Sequence, residues 1–145
     1  MRPRFSCAML GIIMSDIKMI LLIEDDQFLS LLLKGRLEKE GFTVAQAFDG
    51  EEGLASAKDK KPDLIVLDLI MPKLSGFEFL ETISADPQLR QIPVVVATNL
   101  GQESDIQKIK SFGVVDYFVK AQTSVEDLVR IFKGVLERQG APKEA

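Results

Sequence analysis

Short apolar runs alternate along this chain with stretches in which apolar residues recur at helical spacing. Runs of this length without polar alternation are typical of strands covered on both faces of a parallel sheet. The runs occupy residues 18–23, 42–47, 64–68, 93–97 and 114–119. Helical periodicity follows each run, within residues 28–37, 51–60, 77–83, 104–112 and 125–136. The alternation predicts one α/β domain, a doubly wound five-stranded parallel sheet with five helices on its two faces.

Polar side chains stand where four of these runs end. Asp25 and Asp26 follow the first run, Asp68 ends the third, Thr98 follows the fourth and Lys120 follows the last. Each has an ordinary explanation: an N-cap pair, a turn, a strand end and a solvated lysine. In a parallel sheet, however, the carboxyl ends of all strands lie along one edge, where ligands bind. Their conjunction therefore favours a functional site over four separate local roles.

The types of these residues indicate a chemistry. Three clustered carboxylates raise one another's pKa, and a hard divalent cation such as Mg²⁺ relieves that repulsion. Lys120 and Thr98 offer a charge and a hydroxyl that suit anionic oxygens. This combination of acids, lysine and hydroxyl predicts phosphoryl transfer, with the Asp68 carboxylate as the nucleophile. An ionised carboxylate needs no general base.

Composition narrows the alternatives. The chain has no histidine, which excludes Ser-His-Asp catalysis and His-ligated zinc or haem. Cys7 is the only cysteine, so no intrachain disulfide forms, and a cytoplasmic location is expected. The net charge is -4 and no dense Lys/Arg run occurs, so we expect neither a nucleic-acid nor a membrane partner.

Four motifs together resemble the receiver domain of two-component response regulators, chemotaxis-type single-domain regulators included. They are residues 23–26 (Ile-Glu-Asp-Asp), 67–72 (Leu-Asp-Leu-Ile-Met-Pro) with Gly76, 93–98 (Pro-Val-Val-Val-Ala-Thr) and 116–120 (Asp-Tyr-Phe-Val-Lys). The resemblance runs from about Lys18 to Glu137 and implies a flavodoxin-like sheet of strand order 2-1-3-4-5. It implies that Asp68 accepts a phosphoryl group from a histidine kinase or a histidine phosphotransfer protein. Such a chain is a signalling phosphoacceptor rather than an enzyme, with self-phosphorylation from small phosphodonors.

The resemblance also assigns roles within the site. Asp26 and Asp68 would bind Mg²⁺ with the backbone carbonyl of Ile70, and Asp25 would act mainly through bound water. Lys120 would pair with the phosphoryl oxygens. The switch residues would be Thr98, which moves toward the phosphoryl group, and Tyr117, which then turns inward.

Two departures from the family pattern carry expectations. Ala121 follows Lys120 where the family usually has proline, so we expect a trans peptide bond because a cis bond before alanine costs about 2.5–4 kcal/mol. Ile70 and Leu100, expected at the mouth of the site, are apolar and cannot orient an attacking water. This predicts slow autodephosphorylation.

We expect an N-terminal extension over residues 1–17, a receiver domain over 18–138 and a tail over 139–145. No output domain follows in this sequence, so we expect signalling through protein contacts with a downstream target. The chain is expected to be a monomer or weak homodimer, with Ile106, Phe112 and Phe118 as a suggested dimer face.

The sequence leaves three other functions to be weighed. The main alternative is a receiver-like interaction module that phosphorylation does not regulate. An aspartate-nucleophile phosphatase is disfavoured because Asp68-Leu69-Ile70 lacks the second acid of its motif. A nucleotide or flavin binder is disfavoured because acids at residues 24–26 repel phosphate.

Overall fold

Five parallel strands form one sheet in the computed structural model, which describes residues 17–71, 73–99 and 103–140. The strands are β1 (Met19–Ile23), β2 (Thr43–Ala47), β3 (Leu64–Asp68), β4 (Val94–Thr98) and β5 (Asp116–Val119). Their order is β2-β1-β3-β4-β5, and each of the four pairings is parallel. The predicted doubly wound sheet, with its strand order, is confirmed.

Five helices connect and follow the strands. They are α1 (Gln27–Lys39), α2 (Gly50–Lys60), α3 (Gly76–Ser84), α4 (Glu103–Ser111) and α5 (Val125–Gly140). Side-chain caps fix where the first three begin: Asp26, Asp49 and Ser75 each accept backbone N–H groups of the first turn. Such caps satisfy donors that have no partner within the helix.

Alternate residues of each strand face opposite cores. In β1, Ile20 and Leu22 pack into a core covered by α1 and α5, whereas Leu21 and Ile23 pack into a core with α2, α3 and α4. β3 and β4 are buried at every position. Burial on both faces explains why the sequence shows unbroken apolar runs rather than alternation.

The suggested dimer face is wrong. Phe118 is buried beneath α5, with its ring centroid 6.3 Å from that of Phe132. Phe112 packs against the other core, on the opposite side of the sheet. These two rings therefore cannot form one surface.

The predicted strand at residues 114–119 is shorter in the structure and begins at Asp116. Gly113 adopts a positive φ of 79°, which ends the preceding helix, and the next two residues complete the loop. Of the predicted extension, residues 1–16 lie outside the described residues, as do Leu100 and residues 141–145 of the tail. No helix in the described ranges has the length and apolar character to cross a bilayer.

Candidate functional site

Three carboxylates meet at the carboxyl edge of the sheet. β1 and β3 are neighbours with Ile23 opposite Leu67, so the residues that end them lie side by side. Glu24, Asp25 and Asp68 each offer a carboxylate oxygen, and these oxygens lie within 4.8 Å of one another. Glu24 and Asp68 are each only 4% exposed, while Asp25 is open to solvent. The arrangement is a buried acidic floor with one exposed acid at its rim.

Lys120 enters this cluster from the end of β5. Its Nζ donates hydrogen bonds to the carboxylates of Glu24 and Asp68, 3.1 Å from each. The other oxygen of Asp68 accepts the backbone N–H of Ile70 at 3.2 Å. Both oxygens of Asp68 are thus held by donors from two different elements, which fixes the carboxylate in place.

The charges in this cluster are not balanced. Burial, and then the Asp68 carboxylate, raise the pKa of Glu24 to about 7, although Lys120 opposes the shift. Burial alone would lower the pKa of Lys120, but Asp68 and Glu24 outweigh it and the pKa of Lys120 is raised. One ammonium therefore faces three carboxylates.

A hard divalent cation fits this set of residues. The donors are all oxygens and number few enough to leave coordination positions for water or a phosphoryl oxygen, as Mg²⁺ requires. Repulsion from the Asp68 carboxylate is the second cause, after burial, of the raised pKa of Glu24, and a bound cation would oppose that repulsion.

Asp26 does not belong to the cluster, which corrects its assignment from the sequence. Its Oδ1 accepts the N–H groups of Phe28 and Leu29 at 3.1 Å each, as the N-cap of α1. The pair at the end of β1 is Glu24 and Asp25, one residue earlier than expected. The signal was present in the sequence: an aspartate directly before a helical pattern is a preferred N-cap, which leaves the two preceding acids for the strand end.

Glu24 is the residue that sequence reasoning left without a role. Its backbone N–H donates to the carbonyl of Ala47 in β2 at 3.0 Å, which continues the sheet by one residue. Its side chain turns into the site and accepts both Lys120 Nζ and the N–H of Asp26.

Thr98 and Tyr117 lie on the adjacent strands β4 and β5. The Thr98 hydroxyl is buried and donates to the carbonyl of Phe118 at 3.2 Å, so it is bonded to β5 and not to the carboxylates. Tyr117 is half-buried, lies opposite Val96 of β4 and packs against the core on the α2–α4 side.

The two departures noted in the sequence are visible here. Ile70 is 56% exposed at the rim, and its carbonyl role stays a prediction. Lys120 and Ala121 lie in a short 3₁₀ turn over Lys120–Gln122, and their peptide bond is trans, since the described residues contain no cis bond. The trans bond is compatible with Lys120 reaching Asp68.

A family model for the response regulator receiver domain matches residues 20–133. The chain belongs to this family. Receiver domains are the phosphoacceptor modules of two-component signalling, and they interact with histidine kinases and downstream targets. The recognition from four motifs is confirmed.

The receiver has relatives of two lengths. It is 40% identical over 121 residues to the DNA-binding dual master transcriptional regulator RpaA of Synechocystis, covering 82% of this chain and 49% of RpaA. The chain thus spans about half the length of the curated relatives it matches first. It is 34% identical over 117 residues to Protein PilH of Pseudomonas aeruginosa, covering 81% of this chain and 96% of PilH.

Solved receivers share the architecture. The chemotaxis protein CheY4 of Vibrio cholerae is 27% identical with a TM-score of 0.76, covering 82% of this chain and 98% of CheY4. The receiver domain of a histidine kinase from Syntrophus aciditrophicus is 26% identical with a TM-score of 0.78, covering 88% of this chain and 96% of that one.

Proposed function

We propose that this receiver accepts a phosphoryl group on Asp68 from a histidine kinase or a histidine phosphotransfer protein, with Mg²⁺ bound. The observation that carries the proposal is the buried Asp68 carboxylate, held by Lys120 and flanked by Glu24 and Asp25 at the carboxyl edge of the sheet. Membership of the receiver family supports it. We place this signalling in the cytoplasm.

The chemical step uses Asp68 as the nucleophile. A carboxylate oxygen of Asp68 attacks the phosphorus of the donor phosphohistidine, the P–N bond breaks, and its electron pair returns to the imidazole nitrogen. No proton has to leave Asp68, so the step needs no general base from this chain. The chain has no histidine to provide one.

Glu24, Asp25 and Asp68, with the backbone carbonyl of Ile70, would hold the Mg²⁺. When bound, the ion supplies positive charge against the phosphoryl oxygens and the carboxylates. Lys120 keeps Asp68 oriented and presents its ammonium where the phosphoryl oxygens arrive. Asp26 contributes by starting α1 and so fixing the chain that follows Asp25.

The switch would run from Thr98 to β5. Phosphorylation adds about -1.5 to -2 charge and new acceptor oxygens at Asp68. We propose that the Thr98 hydroxyl then gives up the Phe118 carbonyl for a phosphoryl oxygen. That carbonyl belongs to Phe118 of β5, the residue next to Tyr117. Loss of the hydrogen bond would therefore alter β5 beside Tyr117, and the Tyr117 side chain would turn further inward. The surface of α4, β5 and α5 would then present an altered face to a downstream protein.

Incubation with Mg²⁺ and acetyl phosphate, followed by intact-mass measurement, tests this function. We expect wild type to gain the mass of one phosphoryl group, and chelation of Mg²⁺ to abolish the gain. Asp68→Asn should gain none, whereas Asp59→Asn, at an exposed aspartate of α2, should behave as wild type. No added mass on folded wild type would favour the interaction module that phosphorylation does not regulate.

A further inference from the structure

Lys120 reaches carboxylates on strands that do not neighbour its own. Asp68, Ala97 and Phe118 are register partners in one row across β3, β4 and β5, and Lys120 lies two residues beyond that row. Neighbouring strands lie about 4.8 Å apart, so β5 and β3 are separated by roughly 10 Å. A side chain that crosses this distance and donates to both Glu24 and Asp68 must start from a fixed place and in a fixed direction. The backbone turn that carries Lys120 therefore decides whether its ammonium reaches the acids.

The backbone of that turn is weakly constrained. In the 3₁₀ turn over Leu89–Gln91, the residue that follows donates its N–H to the first carbonyl of the turn at 3.0 Å. The residue that follows Lys120–Gln122 is Thr123, and its N–H makes no comparable bond to Lys120 within the described chain. Ala121, in the middle of the turn, leaves φ free, whereas a proline would fix it. The backbone therefore contributes little to fixing the direction of Lys120.

The Thr123 side chain closes the turn instead. Its hydroxyl donates to the carbonyl of Val119, the last residue of β5, at 2.8 Å. This bond ties together the residues on the two sides of Lys120–Gln122. Thr123 also lines a cavity of about 60 Å³ whose wall includes Glu24, Asp68 and Lys120. The hydroxyl thus fixes the turn directly beside the Lys120 side chain.

The hydroxyl of the next residue has a different role. Ser124 Oγ accepts the N–H of Asp127 at 3.1 Å and so caps the start of α5. Thr123 is therefore not needed as the cap of this helix. The two neighbouring hydroxyls divide the start of α5 from the turn that carries Lys120, so Ser124 provides a matched control.

We propose that Thr123 is a positioning residue for phosphoryl transfer, because its hydroxyl fixes the turn from which Lys120 reaches Asp68. The inference rests on the proposed function of Asp68 and Lys120. Loss of the hydroxyl frees the turn and removes one donor from the Val119 carbonyl, so the ammonium leaves its carboxylates for part of the time. A misplacement of about 1 Å in a reacting site can slow the reaction about a hundredfold. Thr123 therefore acts on the reaction through Lys120 and not by contact with the phosphoryl group.

Thr123→Val and Thr123→Ser test the proposal. Valine keeps nearly the shape of threonine without the hydroxyl, whereas serine keeps the hydroxyl without the methyl group. The rate of phosphorylation by acetyl phosphate with Mg²⁺, followed by intact mass, should fall about tenfold or more in Thr123→Val. Thr123→Ser should restore most of the rate. Ser124→Ala should lower the melting temperature, because α5 loses its cap, but leave the rate unchanged.

The Lys120 ammonium gives a readout that does not depend on phosphoryl transfer. Its hydrogen-bonded ¹H–¹⁵N signal, assigned by its loss in Lys120→Ala, should be present in wild type and Thr123→Ser and weakened or lost in Thr123→Val. Wild type that gains no phosphoryl group but shows this pattern would overturn the proposed function and leave the positioning by Thr123 supported. The same Lys120 signal in wild type and Thr123→Val would overturn the inference. Equal slowing of phosphorylation in Thr123→Val and Thr123→Ser would also overturn it.

Discussion

The exits of β1 and β3 are neighbours in the sheet but differ in how their acids are used. At the exit of β3, one carboxylate, Asp68, is held by Lys120 and by a backbone N–H. At the exit of β1, three consecutive acids occupy three different positions. Glu24 is buried against Lys120, Asp25 stands at the rim, and Asp26 turns away to cap α1.

The difference shows that a single acid at a strand end can be placed in the site from the sheet topology alone. For a run of acids, the start of the following helix decides which of them lie in the site. Asp68 is the last residue of β3, and no helix begins directly after it. In the run of three, the N-terminus of α1 takes the acid directly before it, and the remaining two are left for the site. The predictions below separate these roles, beginning with the largest effect.

Removing Lys120, whose ammonium Glu24 and Asp68 share, should lower the free energy of unfolding most. Lys120→Ala leaves the Glu24 and Asp68 carboxylates close together without their common partner, so we expect the free energy of unfolding to fall by about 3 kcal/mol without metal. Added Mg²⁺ should recover part of the loss. Urea denaturation with and without Mg²⁺ measures both, and Lys58→Ala, at an exposed lysine of α2, is the control. Equal losses in the two variants would show that Lys120 does not stabilise the acids.

Neutralising Glu24 should raise the free energy of unfolding at high pH instead of lowering it. Its pKa is raised from 4.5 to about 7 by folding, so its stabilising contribution is present below pH 4.5 and is lost as the pH rises through 7. Without metal, Glu24→Gln should therefore be more stable than wild type at pH 8 by roughly 1–3 kcal/mol, and the gap should close near pH 4. Denaturation across this pH range measures it; a gap that does not depend on pH would contradict the account.

Removing the cap should cost less. Asp26→Ala deprives two N–H groups of α1 of their acceptor, and we expect a loss of about 1 kcal/mol in the free energy of unfolding. Asp26→Asn keeps an equally good cap and should stay near wild type. If Asn were as destabilising as Ala, the charge of Asp26 would matter more than its hydrogen bonds.

The smallest effect concerns the rim of the β3 exit. Ile70 is exposed there and cannot orient water, so loss of the phosphoryl group should be slow. Ile70→Gln offers polar atoms at the same place and should speed dephosphorylation several-fold. Intact-mass measurements over time follow the loss of the phosphoryl group. A wild-type lifetime of seconds would contradict the expectation for Ile70.

The doubly wound sheet and the convergence of Asp68 and Lys120 were predictable because buried parallel strands leave unbroken apolar runs and share one carboxyl edge. The strand order followed from the resemblance to receiver domains. Which acids at the exit of β1 join the cluster was not predictable, because Asp25 and Asp26 are chemically identical and only the start of α1 at Gln27 separates their positions. The bond from Thr98 to β5 was also beyond sequence reasoning. A hydroxyl rotor chooses among acceptors that only the assembled sheet brings within reach.

Magnesium titration of two adjacent asparagine variants tests the central claim most directly. Calorimetry on wild type, Asp25→Asn and Asp26→Asn compares changes of the same chemistry one residue apart, and both variants keep the cap of α1. We predict that Asp25→Asn weakens Mg²⁺ binding roughly tenfold or more, the scale at which groups around a metal act. Asp26→Asn should leave the affinity unchanged. An equal or larger loss in Asp26→Asn would contradict the division of acids at the exit of β1.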